Sequence, residues 1–250
     1  MTIHMFGAYF GLACSKMLGP EKPETAFKAD ATQISDILSL VGTTLLWVYW
    51  PSFVGATETA IPKNEHLCIV QTIIALVGST LATFYMSPRL CHGKLDPVHV
   101  ANSTLAGGVA VGASARLNLS PGGALLLGVL AGAISVRGCV TVSPILQNAF
   151  GIYDTCGVGN LHGLPSLLGG LASAVFVVLD ATNKNLPADA ADASGVQVVR
   201  QLAGVGVTLV VSIASGTFTG AIMNKAKATS DGKTPDEYDD GVFWEGDYFE

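Results

Sequence analysis

The sequence predicts an all-α protein, a polytopic bundle of about seven transmembrane helices, and three observations carry that reading. Half of the 250 residues are hydrophobic, only 13% are charged, and the mean hydropathy is +0.49. A water-facing domain usually carries about a quarter charged residues, so this chain lacks the charge to cover a solvated surface. Apolar runs of about 20 residues, enough to cross roughly 30 Å of hydrocarbon, recur between short polar breaks. Small residues repeat inside those runs at helical spacing.

Taken in order, the runs are approximately 1–18, 35–57, 66–88, 97–115, 121–142, 158–180 and 198–223. The first carries His4 within MTIHMFGAYFGLA, and the second carries two tryptophans within LWVYWPSF. The fourth follows Asp96-Pro97, where the Asp96 carboxylate can cap a helix. The sixth opens on GNLHGLP. None has a polar face wide enough to be solvated, which argues against buried helices of a large soluble core. None alternates as a barrel strand would over about ten residues. Gly7 and Gly11, Gly108 and Gly112, Gly128 and Gly132, Gly159 and Gly163, and Gly216 and Gly220 each form G-x-x-x-G. That spacing lets helix backbones approach closely where lipid offers no hydrophobic drive, so a tightly packed bundle is expected.

The charge is unevenly placed. From Asn224 to Glu250 three lysines face eight acids, a balance of −5 within the whole chain's −6. The pI of 5.3 therefore describes a tail. A transmembrane domain over 1–223 and an acidic cytoplasmic tail over 224–250 are expected, with no nucleic-acid partner. Lys16, Lys22, Lys28, Arg89, Lys94, Lys225, Lys227 and Lys233 fall on the tail's side, against Lys63, Arg116 and Lys184 on the other, which puts the tail in the cytoplasm. The sequon Asn118-Leu119-Ser120 then faces outward, in a turn too tight before Pro121 to favour glycosylation. The five cysteines (14, 68, 91, 139, 156) form no C-x-x-C pair, and 14, 68 and 139 lie in apolar runs as small hydrophobes. Neither a disulfide nor a metal–thiolate site is predicted.

Ionisable residues inside a membrane are costly and face the bundle interior or an aqueous path. His4, His99, Arg137, His162 and Arg200 lie within the runs. Arg137 toward a helix end and Arg200 at a helix start read as structural. His99 is placed at the membrane interface, and His66 and His92 in loops. His4 and His162 have no nearby charge. Each can be a histidine satisfied by a backbone carbonyl, but Gly163 and Pro165 shift His162 toward function. Proline removes a backbone donor and frees a carbonyl, a break that tends to line a cavity. Desolvation disfavours a charged ring, and a neutral imidazole offers one donor and one acceptor. Such a pair suits an uncharged amine or water and opposes a bare cation.

The segments MTIH-x-FGAYFGL (1–12), LWVYWPSF (46–53), LDPVHVANSTLAGGVAVG (95–112), DTCGVGNLHGLPSLLGG (154–170) and DDGVFWE (239–245) closely resemble the Rh glycoproteins of the ammonium transporter (Amt/Mep/Rh) family. The resemblance covers essentially the whole chain. It implies a trimer of channels, each of two inverted halves plus an extra C-terminal helix. The present chain would hold the second half with one helix before it and one after. It implies that His4 and His162 are twin pore histidines and that Phe53 closes the external mouth. Trp47 and Trp50 would pack nearby, or serve as interfacial aromatics. Asp154 would precede the helix bearing His162, where an N-cap role is the alternative. Asn102 and Thr104 would flank the pore, or make helix–helix hydrogen bonds.

The implied activity is transport of ammonium or ammonia, with carbon dioxide a second cargo and a non-conducting structural subunit the alternative. An enzyme with His4 and His162 as metal ligands is disfavoured, because no third ligand lies beside them. No cofactor and no metal are expected. The expected setting is a multi-pass protein of the plasma membrane, as homotrimer or Rh-type heterotrimer. Measured against the family, the chain starts near the middle of its fifth helix, so a fragment unable to enclose a sealed pore alone is expected.

Overall fold

A computed structural model describes residues 1–19, 30–58, 62–117, 119–182 and 191–229, and no strand forms among them. The helices are α1 (His4–Leu18), α2 (Gln33–Ala56), α3 (Pro62–Leu90), α4 (Pro97–Ser103), α5 (Ala106–Val111), α6 (Pro121–Arg137), α7 (Ser143–Phe150), α8 (Leu164–Thr182) and α9 (Ala191–Thr229). Two π-helical turns interrupt the series. One, Gly138–Val142, fuses α6 to α7, and the other, Gly159–Gly163, leads into α8. Each of the seven expected runs thus produces helix. Five bodies are long and apolar enough to cross a membrane: Gln33–Ala56, Asn64–Leu90, Pro121–Phe150, Gly159–Leu179 and Gly195–Ala226. The 15-residue α1 and the α4–α5 pair fall short of that length.

The fourth run is not one helix. Its break lies at Thr104–Leu105, where the Ser79 hydroxyl of α3 donates to the Thr104 carbonyl at 2.6 Å. The Leu105 and Gly108 amides then bond three residues back, to Asn102 and Leu105, which tightens the chain into turns. At α4's start the expected cap is present, with Asp96 Oδ1 accepting from the Val98 and His99 amides at 2.8 and 3.2 Å.

The most extensive helix contacts join α3 to α6 and α1 to α9. These are also the pairs where glycine spacing is used. A Cβ on Gly128 or Gly132 would sit 2.8 Å from the α-carbon of Ala75 or Ser79 on α3. On α9, a Cβ at Gly216 or Gly220 would meet the backbone of Phe10 or Cys14 on α1. Backbone contact of this kind is available only without side chains. The other pairs differ: Gly7 has nothing within 4 Å, and Gly11, Gly112 and Gly163 have only ordinary contacts. Trp50, Cys68, Leu76, Leu105, Val109 and Leu127 belong to the apolar core that α2, α3, α5 and α6 enclose. Only 17% of the α2 span is buried, against 50% of α3, so α2 turns Ile34, Leu38, Val41, Leu45 and Tyr49 outward.

Of the ionisable residues in the runs, Arg200 sits elsewhere than expected. Arg137 is the last residue of α6, exposed where that helix passes into its π turn. Because α9 starts at Ala191, Arg200 is inside that helix, also exposed. His99 is 4% exposed within the protein. Helix α9 continues past 223 to Thr229. Lys22, Lys28, Asn118, Lys184, Lys233 and the 239–245 motif lie outside the described residues.

Candidate functional site

Pro165 has no amide proton, and its ring crowds the carbonyl of Leu161 four residues back. The chain answers by widening into the π turn Gly159–Gly163, which carries His162. Pro144 has the same consequence for Gly138–Val142. The two widened turns meet. Asn160, 4% exposed, donates from Nδ2 to Ser143 Oγ at 2.7 Å, and Gly138 leaves the room its Oδ1 occupies.

The loop before His162 is tied on several sides. Gly151, at φ +62°, ends α7, with its amide on the Gln147 carbonyl and that of Ile152 on Leu146. Ser15 of α1 donates to the Tyr153 carbonyl at 2.6 Å. Asp154 Oδ2 accepts from the Gly159 amide at 2.9 Å, while its Oδ1 is buried without a protein partner. Burial raises the Asp154 carboxyl above the usual carboxylate range, and the amides of Gly159, Val158 and Asn160 oppose that rise. At Gly157, φ +69°, a Cβ would lie 2.7 Å from Nδ2 of Asn102, so the Asn102 amide packs over the loop.

His4 comes from the first turn of α1 and meets His162 with ring centroids 5.0 Å apart and planes 2° from parallel. Trp50 of α2 lies parallel to His4 at 5.2 Å and to His162 at 6.3 Å. Phe53 points its edge at His4 and at Trp50, each at 6.4 Å. Beside the rings, a cleft of about 270 Å³ is lined by Ile3, His4, Gly7, Ala8, Val158 and His162. His162 Nδ1 and Trp50 Nε1 are buried and have no hydrogen-bond partner in the protein. Buried polar atoms are rarely left so, and no carboxylate is among the residues that line the cleft. Such a cleft can hydrogen-bond a small neutral molecule but has nothing to balance a cation.

The structure therefore brings His4, His162 and Phe53 together, and adds Trp50. Trp47 stands apart: it packs on the core and lines a second cleft of about 440 Å³ with Thr43, Thr80, Phe84 and Thr104, among others. Thr104 donates from Oγ1 to the Val100 carbonyl at 2.7 Å. The signal that separates the two tryptophans is helical spacing. Trp50 and Phe53 are three apart and share a face, whereas Trp47 is displaced from Phe53. Gly108 makes the space for Trp50, since a Cβ there would sit 2.7 Å from Nε1 and 2.9 Å from Cδ1. Gly108→Ala is expected to cost about 1–3 kcal/mol through overpacking. Thermal denaturation and tryptophan fluorescence of the purified variant check this, and a spectrum and midpoint equal to wild type would refute the contact.

The sequence profile of the Ammonium Transporter Family matches residues 1–234. The Bos taurus protein named Ammonium transporter Rh type A is 39% identical over 249 residues, covering 98% of this chain and 55% of its own length. A solved structure described as "Nitrosomonas europaea Rh50 and mechanism of conduction by Rhesus protein family of channels" is 38% identical, with a TM-score of 0.77 over 99% of this chain and 58% of that one. The crystal structure of Candida albicans Mep2, 20% identical with a TM-score of 0.71 over 90% of this chain and 50% of its own, shares the fold. The chain spans about half the length of the curated relatives it matches. With that profile running over nearly its whole length and five helices fit to cross a bilayer, this chain is a multi-pass membrane protein of the Ammonium Transporter Family.

Proposed function

We propose that this region builds one wall of a pore that conducts ammonia across the membrane, with His4 and His162 handling the amine and Phe53 with Trp50 covering the outer mouth. The observation that carries the reading is the parallel imidazole pair, 5.0 Å between centroids, beside a cleft that both histidines line, with His162 Nδ1 buried and without a protein partner. Ammonium and potassium have the same charge and nearly the same size, so a charged pore would hardly separate them. Carrying either ion whole through an apolar passage is very expensive. Ammonium alone can leave its proton at the mouth and cross as ammonia, whose lone pair accepts from an imidazole N–H while its own hydrogens donate to an imidazole lone pair. Potassium has no such option. The polypeptide works as a transporter rather than an enzyme, as a trimer in the plasma membrane, with the segment 224–250 as a cytoplasmic tail.

The test is uptake in cells that lack their own ammonium transporters, with the protein expressed from its complete coding sequence. Methylammonium is expected to enter and rubidium, a potassium surrogate, to be excluded. Gly7 sharpens the assay because it lines the cleft and a Cβ there meets nothing within 4 Å. Gly7→Ala is expected to leave uptake near wild type, whereas Gly7→Leu fills the cleft and lowers uptake at least tenfold. Rubidium entry equal to that of methylammonium, or full uptake by Gly7→Leu, would reject the reading.

A further inference from the structure

The junction of α3 and α4 gathers three side chains that the pore does not use. Cys91 follows the last turn of α3, Asp96 caps α4, and His99 lies in α4's first turns. One donor atom from each of the three lies within 4.8 Å of the other two. His92, at φ +51°, and Gly93, at φ +84°, reverse the chain between Cys91 and Asp96 so that both face His99. The Gly93 amide on the Pro88 carbonyl, at 2.7 Å, and the Lys94 amide on Cys91, at 3.0 Å, hold that reversal. His99 is 4% exposed, while Cys91 and Asp96 are half-buried, so the group is open on one side.

The donor atoms are oriented by their neighbours. Asp96 Oδ1 accepts two α4 amides, which fixes the carboxylate at the helix end. Ser87 Oγ accepts the Asp96 amide at 3.1 Å and lies 3.1 Å from His99 Nδ1, a contact that steadies the ring and that Nδ1 exchanges for the metal when its lone pair ligates. With its proton on Nε2, His99 offers its one lone pair at Nδ1, on the side of Cys91. Cys91 Sγ is 3.8 Å from His99 Nδ1. A tetrahedral zinc ion, with bonds of about 2.3 Å to sulfur and about 2.0 Å to nitrogen, places those atoms roughly 3.5 Å apart. A few tenths of an ångström separate the observed pair from a ligating one.

We propose that Cys91, Asp96 and His99 form a divalent-metal site of the zinc class, with three protein ligands and the fourth position open to solvent. A thiolate beside an imidazole selects zinc, cobalt or cadmium over magnesium and calcium, which prefer oxygen. The site ties the end of α3 to the start of α4, immediately before the broken α4–α5 segment whose Asn102 packs on the His162 loop. It stands independently of the pore.

The probe is cobalt(II) added to the purified, detergent-solubilised protein. One equivalent is expected to give thiolate-to-cobalt charge-transfer absorption with tetrahedral visible bands, and zinc should displace it. Cys91→Ser is expected to abolish the charge transfer, although Cys14, Cys68, Cys139 and Cys156 all remain as free thiols. Asp96→Asn keeps an oxygen to cap α4 and is expected to weaken cobalt binding at least tenfold. Gel filtration and circular dichroism of the metal-free variants report folding; should Cys91→Ser fail there, Cys91→Ala and Asp96→Asn carry the same test. The proposal is overturned if wild type shows no charge transfer, if the band survives in Cys91→Ser or Cys91→Ala, or if Asp96→Asn binds cobalt as tightly as wild type.

Discussion

Replacing His162 with alanine is expected to cut methylammonium uptake by about fivefold or more while leaving assembly intact. The ring sits against His4 at 5.0 Å and Trp50 at 6.3 Å, and its Nδ1 is buried without a protein partner. Its backbone position comes from Pro165 and the π turn, neither of which the substitution touches. Losing one hydrogen bond along an apolar path costs the passing amine about 1–3 kcal/mol. Each ~1.4 kcal/mol added to a barrier slows passage about tenfold, so a loss between about fivefold and about 150-fold follows. His162→Asn keeps polar atoms near the same place and should retain more uptake than alanine. Size-exclusion profiles and cell-surface levels of the variants need to match wild type for the comparison to hold. Uptake unchanged in His162→Ala would remove the residue from the pore.

The helical bodies were legible in the sequence because hydrocarbon leaves the backbone no alternative partner. Long apolar runs must satisfy their own amides and carbonyls internally, so length and composition are enough to predict them. The break in 97–115 was not legible, since its cause is tertiary: the hydroxyl of Ser79 takes the Thr104 carbonyl from a different helix. Glycine spacing shows the same limit. Gly7-x-x-x-Gly11 and Gly216-x-x-x-Gly220 look alike, yet the second faces the Phe10 and Cys14 backbone while Gly7 faces open space. A spacing rule gives the capacity for close approach, and only the partner decides whether it is used.

The site divides in a similar way. His4 and His162 stood out because charge was absent around them and Pro165 marked a break. Trp50 was named beside Trp47 but not preferred to it, although its three-residue spacing from Phe53 puts both rings on one helix face. The cluster of Cys91, Asp96 and His99 gave no signal, because its spacing matches no metal motif and the Ser87 hydroxyl that orients it comes from the preceding helix. The turn at His92 and Gly93, with a left-handed backbone on two successive residues, is what brings these groups together.

Gly128→Val is expected to be the most destabilising single change in the bundle. Helix α6 lies on α3 with backbone touching backbone, and a Cβ at 128 would fall 2.8 Å from the Ala75 α-carbon. No flexible side chain stands there to move aside, so the helices themselves must separate. The separation would also disturb Gly132 against Ser79 and Gly78 against the Leu125 and Val129 backbone. Overpacking of an ordinary core costs about 1–3 kcal/mol, and a rigid backbone contact belongs at or above the upper end of that range. For a chain of this size about 3 kcal/mol lowers the denaturation midpoint by roughly 6–12 °C. Thermal unfolding of the detergent-solubilised variant, followed by intrinsic tryptophan fluorescence, gives the number. Gly7→Ala provides the matched control, because a Cβ at 7 meets nothing and the midpoint should stay with wild type. If both variants unfold together with wild type, α3 and α6 do not approach as closely as their glycines allow, and the apolar core between them is packed by other means.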